Sequence, residues 1–367
     1  LYAFSRFKLN SPQAWGVIVI ISAAFFLGVW YVVGINQDPL IPSGQFDQFK
    51  VFMTTLFVPF AAWYLIHDHL ITPEKILKVT IYSQAAYCTI KVSLMLLHLL
   101  KVINVWTFMH YTGLRFMSMT IVGEVGRIQT SVDILTPFLV YFVLLSDTLQ
   151  LGLSKKFRWF FIFVSVASTF LSFSRYLIAI YGMSILLYGV TLPLTKQIKF
   201  WIGCTLFLTA CVFAAGPEKV WKAVEMRLFS DNNYQSDVER RVQIDALMTQ
   251  CEAHPFLGNG LGGYTKECIR DHMLPHAYEV QWVAFLMQFG LAGITVILLP
   301  LSYIGIRLIL PPISRLKLGF FSLYILWLLS GFTNPFLISL TSGIAYTLFL
   351  ITPMLSGFTF WKKKSIP

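Results

Sequence analysis

Charged residues are scarce in this chain. They make up 12% of its 367 residues, whereas hydrophobic residues make up 56%. A soluble domain typically carries about 25% charged residues. Apolar runs long enough to cross a bilayer recur along the whole length. The scarcity of charge excludes an ordinary soluble domain and predicts an all-α polytopic membrane protein.

Several motifs that carry chemistry are also absent. The sequence contains no G-x-x-x-x-G-K-[ST] phosphate loop and no H-E-x-x-H metal motif. The G-N-G-L-G-G stretch at 258–263 follows no predicted strand, so it does not indicate a nucleotide-binding loop. From these absences we predict neither a nucleotide cofactor nor a metal site.

Cysteines number only five. Cys88, Cys204 and Cys211 fall inside predicted apolar spans, where cysteine acts as a small packing residue. Cys251 and Cys268 bracket a glycine-rich turn in a predicted outer loop, so an oxidising outer compartment would permit a disulfide between them. Such a bond would contribute about 3 kcal/mol by loop entropy. The pattern favours this disulfide over two free thiols, and the spacing matches no standard zinc site.

Hydropathy predicts about ten spanning helices. They cover residues 15–35, 51–66, 79–100, 131–147, 158–173, 176–193, 199–215, 280–305, 317–332 and 336–360. If the N-terminus is cytoplasmic, every inner loop carries at least two basic residues, whereas the outer loop 36–50 holds only Lys50. The positive-inside rule therefore places both termini in the cytoplasm. The predicted organisation is seven spans in 1–215, an outer loop at 216–279 and three spans in 280–367.

The net charge of +11 raises the question of nucleic-acid binding. The lysines and arginines, however, lie mainly in loops between hydrophobic segments. Cytoplasmic loop bias accounts for part of the excess, and anionic lipids or lipid phosphates account for the rest better than DNA does. We therefore predict membrane lipids as partners and no nucleic acid.

Several arginines lie on the predicted outer face, against the usual charge bias. They are Arg115, Arg127, Arg175, Arg240 and Arg241. The first two belong to segment 101–130, which we predict to be an interfacial or re-entrant segment rather than a span. Guanidinium groups suit bidentate contacts with phosphate oxygens, so these arginines predict an anionic ligand. The alternative is that they reach the lipid headgroups or lie on a solvated loop surface.

The outer loop has predicted structure of its own. Ser236-x-x-Glu239 is a capping-box pattern and predicts a helix from about Asp237 to Glu252. His254-Pro255 is expected to end that helix, and the glycines that follow predict tight turns. These glycines are Gly258, Gly260, Gly262 and Gly263.

His276 is the strongest candidate for a catalytic group. It follows Pro275 and precedes a long apolar helix that we predict to begin near Ala277. The free N–H groups of such a helix end attract anions, and Glu279 would lie about one turn further on. An imidazole titrates near neutrality and can act as a general base toward a hydroxyl group. The alternative is a histidine that only caps the helix.

Taken in order, these motifs resemble the O-antigen ligase/polymerase superfamily. The resemblance covers residues 160–300 and depends on the order and placement of the motifs, since each one alone is unspecific. The matching motifs are Ser174-Arg175, Arg240-Arg241, His254-Pro255-Phe256-Leu257-Gly258-Asn259-Gly260, His276 and Gly290-Leu291-Ala292-Gly293.

The resemblance implies a GT-C-like helical fold and a metal-independent glycosyltransferase. Such enzymes move a glycan from undecaprenyl diphosphate to a glycan or lipid A-core hydroxyl, on the periplasmic side of the bacterial inner membrane. The loop 216–279 would then be periplasmic, and a chain-length regulator is a candidate partner. Arginines would neutralise the departing diphosphate, which suits Arg175, Arg240 or Arg241, with Arg127 or Arg115 in support. His276 would orient or deprotonate the acceptor hydroxyl.

One position departs from the pattern. Ligases of the family place an amide or hydroxyl residue directly after the histidine, whereas Ala277 follows here. This departure favours the repeat-unit polymerase over the ligase and makes Glu279 a second candidate base. A lipid-glycan flippase stays open as an alternative, although transporters usually hold charges near the bilayer midplane, where we predict only Lys91.

Overall fold

The computed structural model describes residues 12–37, 40–111, 117–122, 125–218, 221–222, 225 and 231–359. Across these ranges the chain is mostly helical, with connecting loops and one two-stranded hairpin. The helices are α1 Pro12–Ile35, α2 Gly44–His67, α3 Pro73–Leu99, α4 Val105–Tyr111, α5 Leu135–Leu144, α6 Lys155–Leu171, α7 Arg175–Thr191, α8 Leu194–Ala215, α9 Asp231–Ala253, α10 Gln281–Ile309, α11 Arg315–Leu329, α12 Leu340–Ile351 and α13 Ser356–Thr359.

The helical structure agrees with an all-α membrane protein. Every segment predicted from hydropathy contains a helix. In the described part of the chain, four helices are long and apolar enough to cross a membrane: Gly16–Ile35, Gly44–His67, Gln281–Ile309 and Arg315–Phe332. Side-chain caps begin several of the other helices. Thr72 accepts a hydrogen bond from the N–H of Lys75 at the start of α3, and Ser154 accepts one from Phe157 at the start of α6.

The one hairpin of the described ranges lies inside the segment that we predicted to be interfacial. Strands β1 Met117–Val122 and β2 Val125–Gln129 pair antiparallel, with Met117 opposite Gln129 and Thr120 opposite Gly126. These strands were not predicted from the sequence. Their β-branched residues favour extended backbone, but the pairing itself depends on partners across the turn and is not visible in helical hydropathy.

The chain folds into two compact units. The first holds the described residues of Leu1–Asp68, Pro193–Arg307 and Tyr324–Thr347, and the second holds those of His69–Leu192, Leu308–Leu323 and Leu348–Pro367. Among the candidate residues, Arg127 and Arg175 belong to the second unit. His276, Glu279, Arg240 and Arg241 belong to the first.

The core of the first unit is aromatic. Its buried members are Leu27, Trp30, Phe52, Leu261, Phe285, Phe289 and Leu337. The indole nitrogen of Trp30 donates to the carbonyl oxygens of Leu257 (2.8 Å) and Phe289 (3.0 Å). This tryptophan therefore ties α1 to both the loop after α9 and α10.

The second unit is built around α5, which is buried from Leu135 to Val143. Its rings pack against later helices: Phe138 contacts Phe349, and Tyr141 and Phe142 contact Phe320. This unit also contains buried hydroxyl residues just before the Ser174-Arg175 turn, namely Ser165, Ser168, Thr169 and Ser172.

Candidate functional site

Helix α9 carries Arg240 and Arg241 and ends where the sequence predicts. It finishes at Ala253 because Pro255 disfavours helical backbone at His254. Its start was predicted wrongly: the helix begins at Asp231, so Ser236 lies inside it and is not its N-cap. The acidic and amide residues at 231–233 supply an earlier start that suits a helix N-terminus.

Helix α10 is broken at Gly290, where the backbone leaves the helical region with φ 61° and ψ −172°. The hydropathy pattern predicted one continuous span. At the break, the N–H of Leu291 donates to the carbonyl of Pro255 (2.9 Å), and the N–H of Ala292 donates to that of Phe256 (3.0 Å). The loop that follows α9 therefore completes backbone hydrogen bonds that the break leaves open.

The same loop also pairs with the turn of α10 that precedes the break. The N–H of Asn259 donates to the carbonyl of Met287 (2.9 Å), and that of Gly260 donates to Gln288 (2.8 Å). A Cβ added at Gly258, where φ is +68°, would lie 2.5 Å from the carbonyl oxygen of Gln288. Glycine at 258 is thus needed both for its backbone conformation and for its close approach to α10.

Buried glutamines fix the far side of this loop. Gln48 of α2 donates to the side chain of Gln288 (2.8 Å), which donates in turn to the carbonyl of Gly263 (3.0 Å). The N–H of Gly262 donates back to Gln48. Neither glutamine was predicted from the sequence. For Gln288 the available signal was an amide residue inside an apolar span, because a buried amide needs partners.

His276 lies beside the first turn of α2. A Cβ at Gly44, in the first turn of α2, would lie 3.9 Å from Nδ1 of His276. That nitrogen is buried and has no hydrogen-bond partner among the described residues. The expectation that His276 sits directly at a helix N-terminus is wrong, since α10 begins at Gln281 and the backbone at 277–280 is not helical.

Burial lowers the pKa of the His276 imidazole below its ordinary value, and the nearby carboxylates of Asp47 and Asp271 partly oppose that shift. The shift follows from desolvation, which disfavours the charged imidazolium form. At neutral pH the side chain is therefore an uncharged imidazole, the form that can accept a proton.

Glu279 is held by two arginines. Its Oε2 accepts from Nε of Arg240 (2.9 Å) and its Oε1 accepts from Nη2 of Arg270 (2.6 Å). Its backbone N–H donates to the side chain of Gln243 (3.0 Å), and Arg240 also pairs with Asp237 (2.7 Å). This arrangement ties the segment that carries His276 to α9.

The two adjacent arginines of α9 have different surroundings. Arg240 is half-buried and is engaged with Glu279 and Asp237. Arg241 is exposed and makes no hydrogen bond or ion pair with any residue that the structure describes. Of the two, Arg241 is the one whose guanidinium group is open to an anionic ligand.

The predicted disulfide is not present: Cys251 and Cys268 are both free cysteines. Cys251 faces the interior from α9 and packs in a cluster with Leu247, Tyr278 and Met287. The hydrophobic cluster, rather than a covalent bond, thus holds this side of the turn.

In the second unit the Ser174-Arg175 turn has the predicted form. The hydroxyl of Ser174 caps α7 by accepting the N–H of Leu177, and Arg175 is the first residue of that helix. Arg127 of β2 approaches the same turn, because its Nε donates to the carbonyl of Ser172 (3.1 Å) and to the side chain of Gln129 (3.1 Å). The fold therefore brings Arg127 to the turn from which Arg175 starts. Arg115 lies outside the described residues.

Two further features concern ligands. Among the described residues, no three His, Cys, Asp or Glu side chains group closely enough to hold a metal ion.

A cavity of about 540 Å³ opens beside His254, and its lining includes Asn36, Gln37 and Phe256 but no lysine, arginine or carboxylate. The glycines Gly258 and Gly260 shape the loop that forms one wall of this region.

The chain matches no family model, no curated protein and no solved structure.

Proposed function

We propose that this protein is a metal-independent glycosyltransferase with a GT-C-like fold, and that it polymerises O-antigen repeat units. It would move a glycan from undecaprenyl diphosphate to a sugar hydroxyl of the acceptor glycan. The observation that carries the proposal is the imidazole of His276, half-buried and uncharged, with a buried nitrogen that no described residue engages.

The proposed topology has ten spans, both termini in the cytoplasm and the loop 216–279 in the periplasm, in the bacterial inner membrane. Basic residues in every predicted inner loop support this orientation. The break in α10 supports a site at the outer end of the bundle. Non-helical backbone at membrane depth is tolerated where other protein groups satisfy it, and here the loop 255–260 does so.

His276 is the proposed general base. It would accept the proton of the acceptor hydroxyl as that oxygen attacks the anomeric carbon and the bond to the diphosphate breaks. A lowered pKa keeps the imidazole unprotonated at neutral pH, as this role requires. Glu279 would serve as a tether for this segment, since both of its oxygens already accept hydrogen bonds from guanidinium groups.

The arginines would stabilise the negative charge that develops on the leaving diphosphate. Fixed guanidinium groups do this without a metal ion. Each unit offers candidates for this role. In the second unit, Arg127 donates to the carbonyl of Ser172, in the turn from which Arg175 starts; in the first unit, Arg241 has an exposed guanidinium on α9. The uncharged cavity beside His254 suits a neutral stretch of the glycan, because amide side chains match hydroxyl groups.

One residue favours the polymerase over the ligase. Ala277 directly follows His276, at the position where ligases of the family carry an amide or hydroxyl residue. The two activities differ in the acceptor, which is another repeat unit for the polymerase and the lipid A-core for the ligase. A chain-length regulator would be a natural partner of the polymerase only.

The test is a chromosomal deletion, read out as the lipopolysaccharide pattern on a gel and complemented with variants. A lipid A-core that carries a single repeat unit identifies the polymerase. A bare core with polymer still on undecaprenyl diphosphate identifies the ligase. Wild type should restore the ladder, whereas His276→Ala and Arg175→Ala should not. His272→Ala is the matched control, because that histidine is exposed in the same loop. Restoration by both site variants at normal expression would refute the assignment.

A lipid-glycan flippase is the second candidate. The buried Lys91–Asp133 ion pair and the broken helix α10 favour it, since transporters hold charges inside the bundle and use discontinuous helices. An unchanged ladder in the deletion strain, together with a lipid-linked glycan retained on the cytoplasmic face, would support this candidate instead.

A further inference from the structure

An ion pair is buried in the second unit, away from solvent. Lys91 of α3 is 4% exposed and Asp133 is 2% exposed. Nζ of Lys91 lies 2.7 Å from Oδ1 of Asp133 and also donates to the carbonyl of Ser168 (2.9 Å). Lys91 thereby connects three elements: α3, the turn that follows the hairpin and the last turns of α6.

The other oxygen of Asp133 fixes the end of the hairpin. Oδ2 accepts the N–H of Thr130 (2.8 Å), while the hydroxyl of Thr130 accepts the N–H of Val132 (3.2 Å). This is a capping box, and the Thr130 hydroxyl also shares a hydrogen bond with Tyr87 (2.6 Å). The backbone directly after β2 is therefore held by the carboxylate that pairs with Lys91.

Arg127 lies three residues before Thr130, on β2. Its hydrogen bond to the carbonyl of Ser172 joins β2 to the end of α6. Lys91 binds that same helix one turn earlier, at Ser168. The ion pair and the arginine thus hold two successive turns of the segment that leads into Ser174 and Arg175.

We propose that Lys91 and Asp133 are positioning residues, which set Arg127 and the Arg175 turn to receive the diphosphate of the lipid-linked donor. This inference rests on the proposed function and adds the residues that organise its anion site. The burial of the pair supports such a role. Two charges removed from water are seldom more stabilising than apolar residues of similar volume, so stability alone is a weak reason for the pair.

The test compares wild type with the double variant Lys91→Met/Asp133→Asn, which removes both charges together. The amide introduced by Asp133→Asn can still accept the N–H of Thr130, so the variant leaves no buried unpaired charge. With purified protein and an undecaprenyl-diphosphate-linked repeat unit, the KM for the donor should rise about tenfold. The KM for the acceptor glycan should stay unchanged, and backbone hydrogen exchange at 125–130 should become faster.

Two further variants keep the test decisive. Thr130→Val breaks the hydroxyl contacts of the capping box without touching either charge, and it should raise the donor KM in the same way. Arg158→Met/Asp147→Asn removes another ion pair of the same unit, whose atoms lie 2.6 Å apart, and should leave the donor KM unchanged.

The inference is overturned if the charge-neutral double variant and Thr130→Val keep the donor KM within about twofold of wild type, less than the weakest coupling expected between contacting residues. It is also overturned if exchange at 125–130 does not change, or if both substrates' KM values stay fixed while only kcat falls. The last result indicates a smaller folded fraction. If wild type transfers no glycan, the proposed function fails, and the exchange measurement alone then decides whether the pair positions β2.

Discussion

At the scale of single residues, the imidazole of His276 is the group whose protonation state decides the proposed chemistry. Burial lowers its pKa, while Asp47 and Asp271 raise it in part. The neutral, reactive form therefore persists to lower pH than for a free histidine. The rate should be lost as the pH falls through this lowered pKa, not at the ordinary value.

The first prediction concerns the pH dependence of kcat/KM. The acid limb should have its midpoint below about 6.5, the ordinary histidine pKa. Asp47→Asn removes a negative charge that favours the imidazolium, so the limb should move further toward acid. Initial rates measured between about pH 5 and pH 8 check this, since the window brackets the ordinary histidine value. An acid limb at or above the ordinary value, or one that Asp47→Asn leaves in place, contradicts the role of His276.

The second prediction separates Glu279 from His276. Glu279→Gln replaces the carboxylate in two ion pairs that are partly exposed, so the free energy of unfolding should fall by about 1 kcal/mol. Transfer should remain measurable, whereas His276→Ala should abolish it. Thermal unfolding and transfer rates of the two variants provide the comparison. A Glu279→Gln protein with wild-type stability and no activity would make Glu279 the base.

At the scale of elements, the join between the loop after α9 and the broken helix α10 holds the backbone around the proposed site. Four backbone hydrogen bonds connect 255–260 with 287–292. These hydrogen bonds anchor the loop to the helix, which suits a site that must hold its groups in one geometry. Gly258 and Gly290 permit this join because each has a positive φ and backbone of the partner segment against it.

The third prediction follows from that join. Gly258→Ala would place a Cβ 2.5 Å from the carbonyl oxygen of Gln288, at a backbone conformation that strains an L-residue. It should lower the free energy of unfolding by at least about 1 kcal/mol. Gly28→Ala is the matched control, since that glycine lies in α1 with no atom within 4 Å of the added Cβ. Equal thermal midpoints for the two variants would contradict the described join.

Local signals predicted the elements that depend on neighbouring residues. The helices under the apolar runs, the end of α9 at His254-Pro255 and the turn at Ser174-Arg175 all follow from sequence within a few positions. The hairpin, the break at Gly290 and the free state of Cys251 did not. The first two depend on backbone pairing between segments apart in sequence, and the last depends on the cluster into which Cys251 packs.

The candidate site could be predicted only in part, because several of its contacts join segments that are apart in sequence. His276 and the Ser174-Arg175 turn are visible as motifs. The sequence did not indicate that Glu279 would be bound by Arg240 and Arg270, because those partners come from other segments. Likewise, Lys91 was recognised as a charge inside a span, but its partner Asp133 was not.

At the scale of the whole molecule, the long apolar helices of the described ranges indicate a membrane protein. Many large hydrophobic side chains are exposed along the helices, as contact with lipid tails requires. A polyprenyl-linked donor is a substrate that such a protein can receive directly from the bilayer. Our main proposal is that the protein breaks the bond between the glycan and the diphosphate of this donor. The glycan is transferred to a sugar hydroxyl, and no metal ion takes part.

Glycan transfer by the purified protein in liposomes tests this proposal, with an undecaprenyl-diphosphate-linked repeat unit as donor and a chelator present. We predict longer glycans and released undecaprenyl diphosphate, both lost in His276→Ala and retained in His272→Ala. Absence of transfer by wild type, abolition of transfer by the chelator, or full activity of His276→Ala would contradict it.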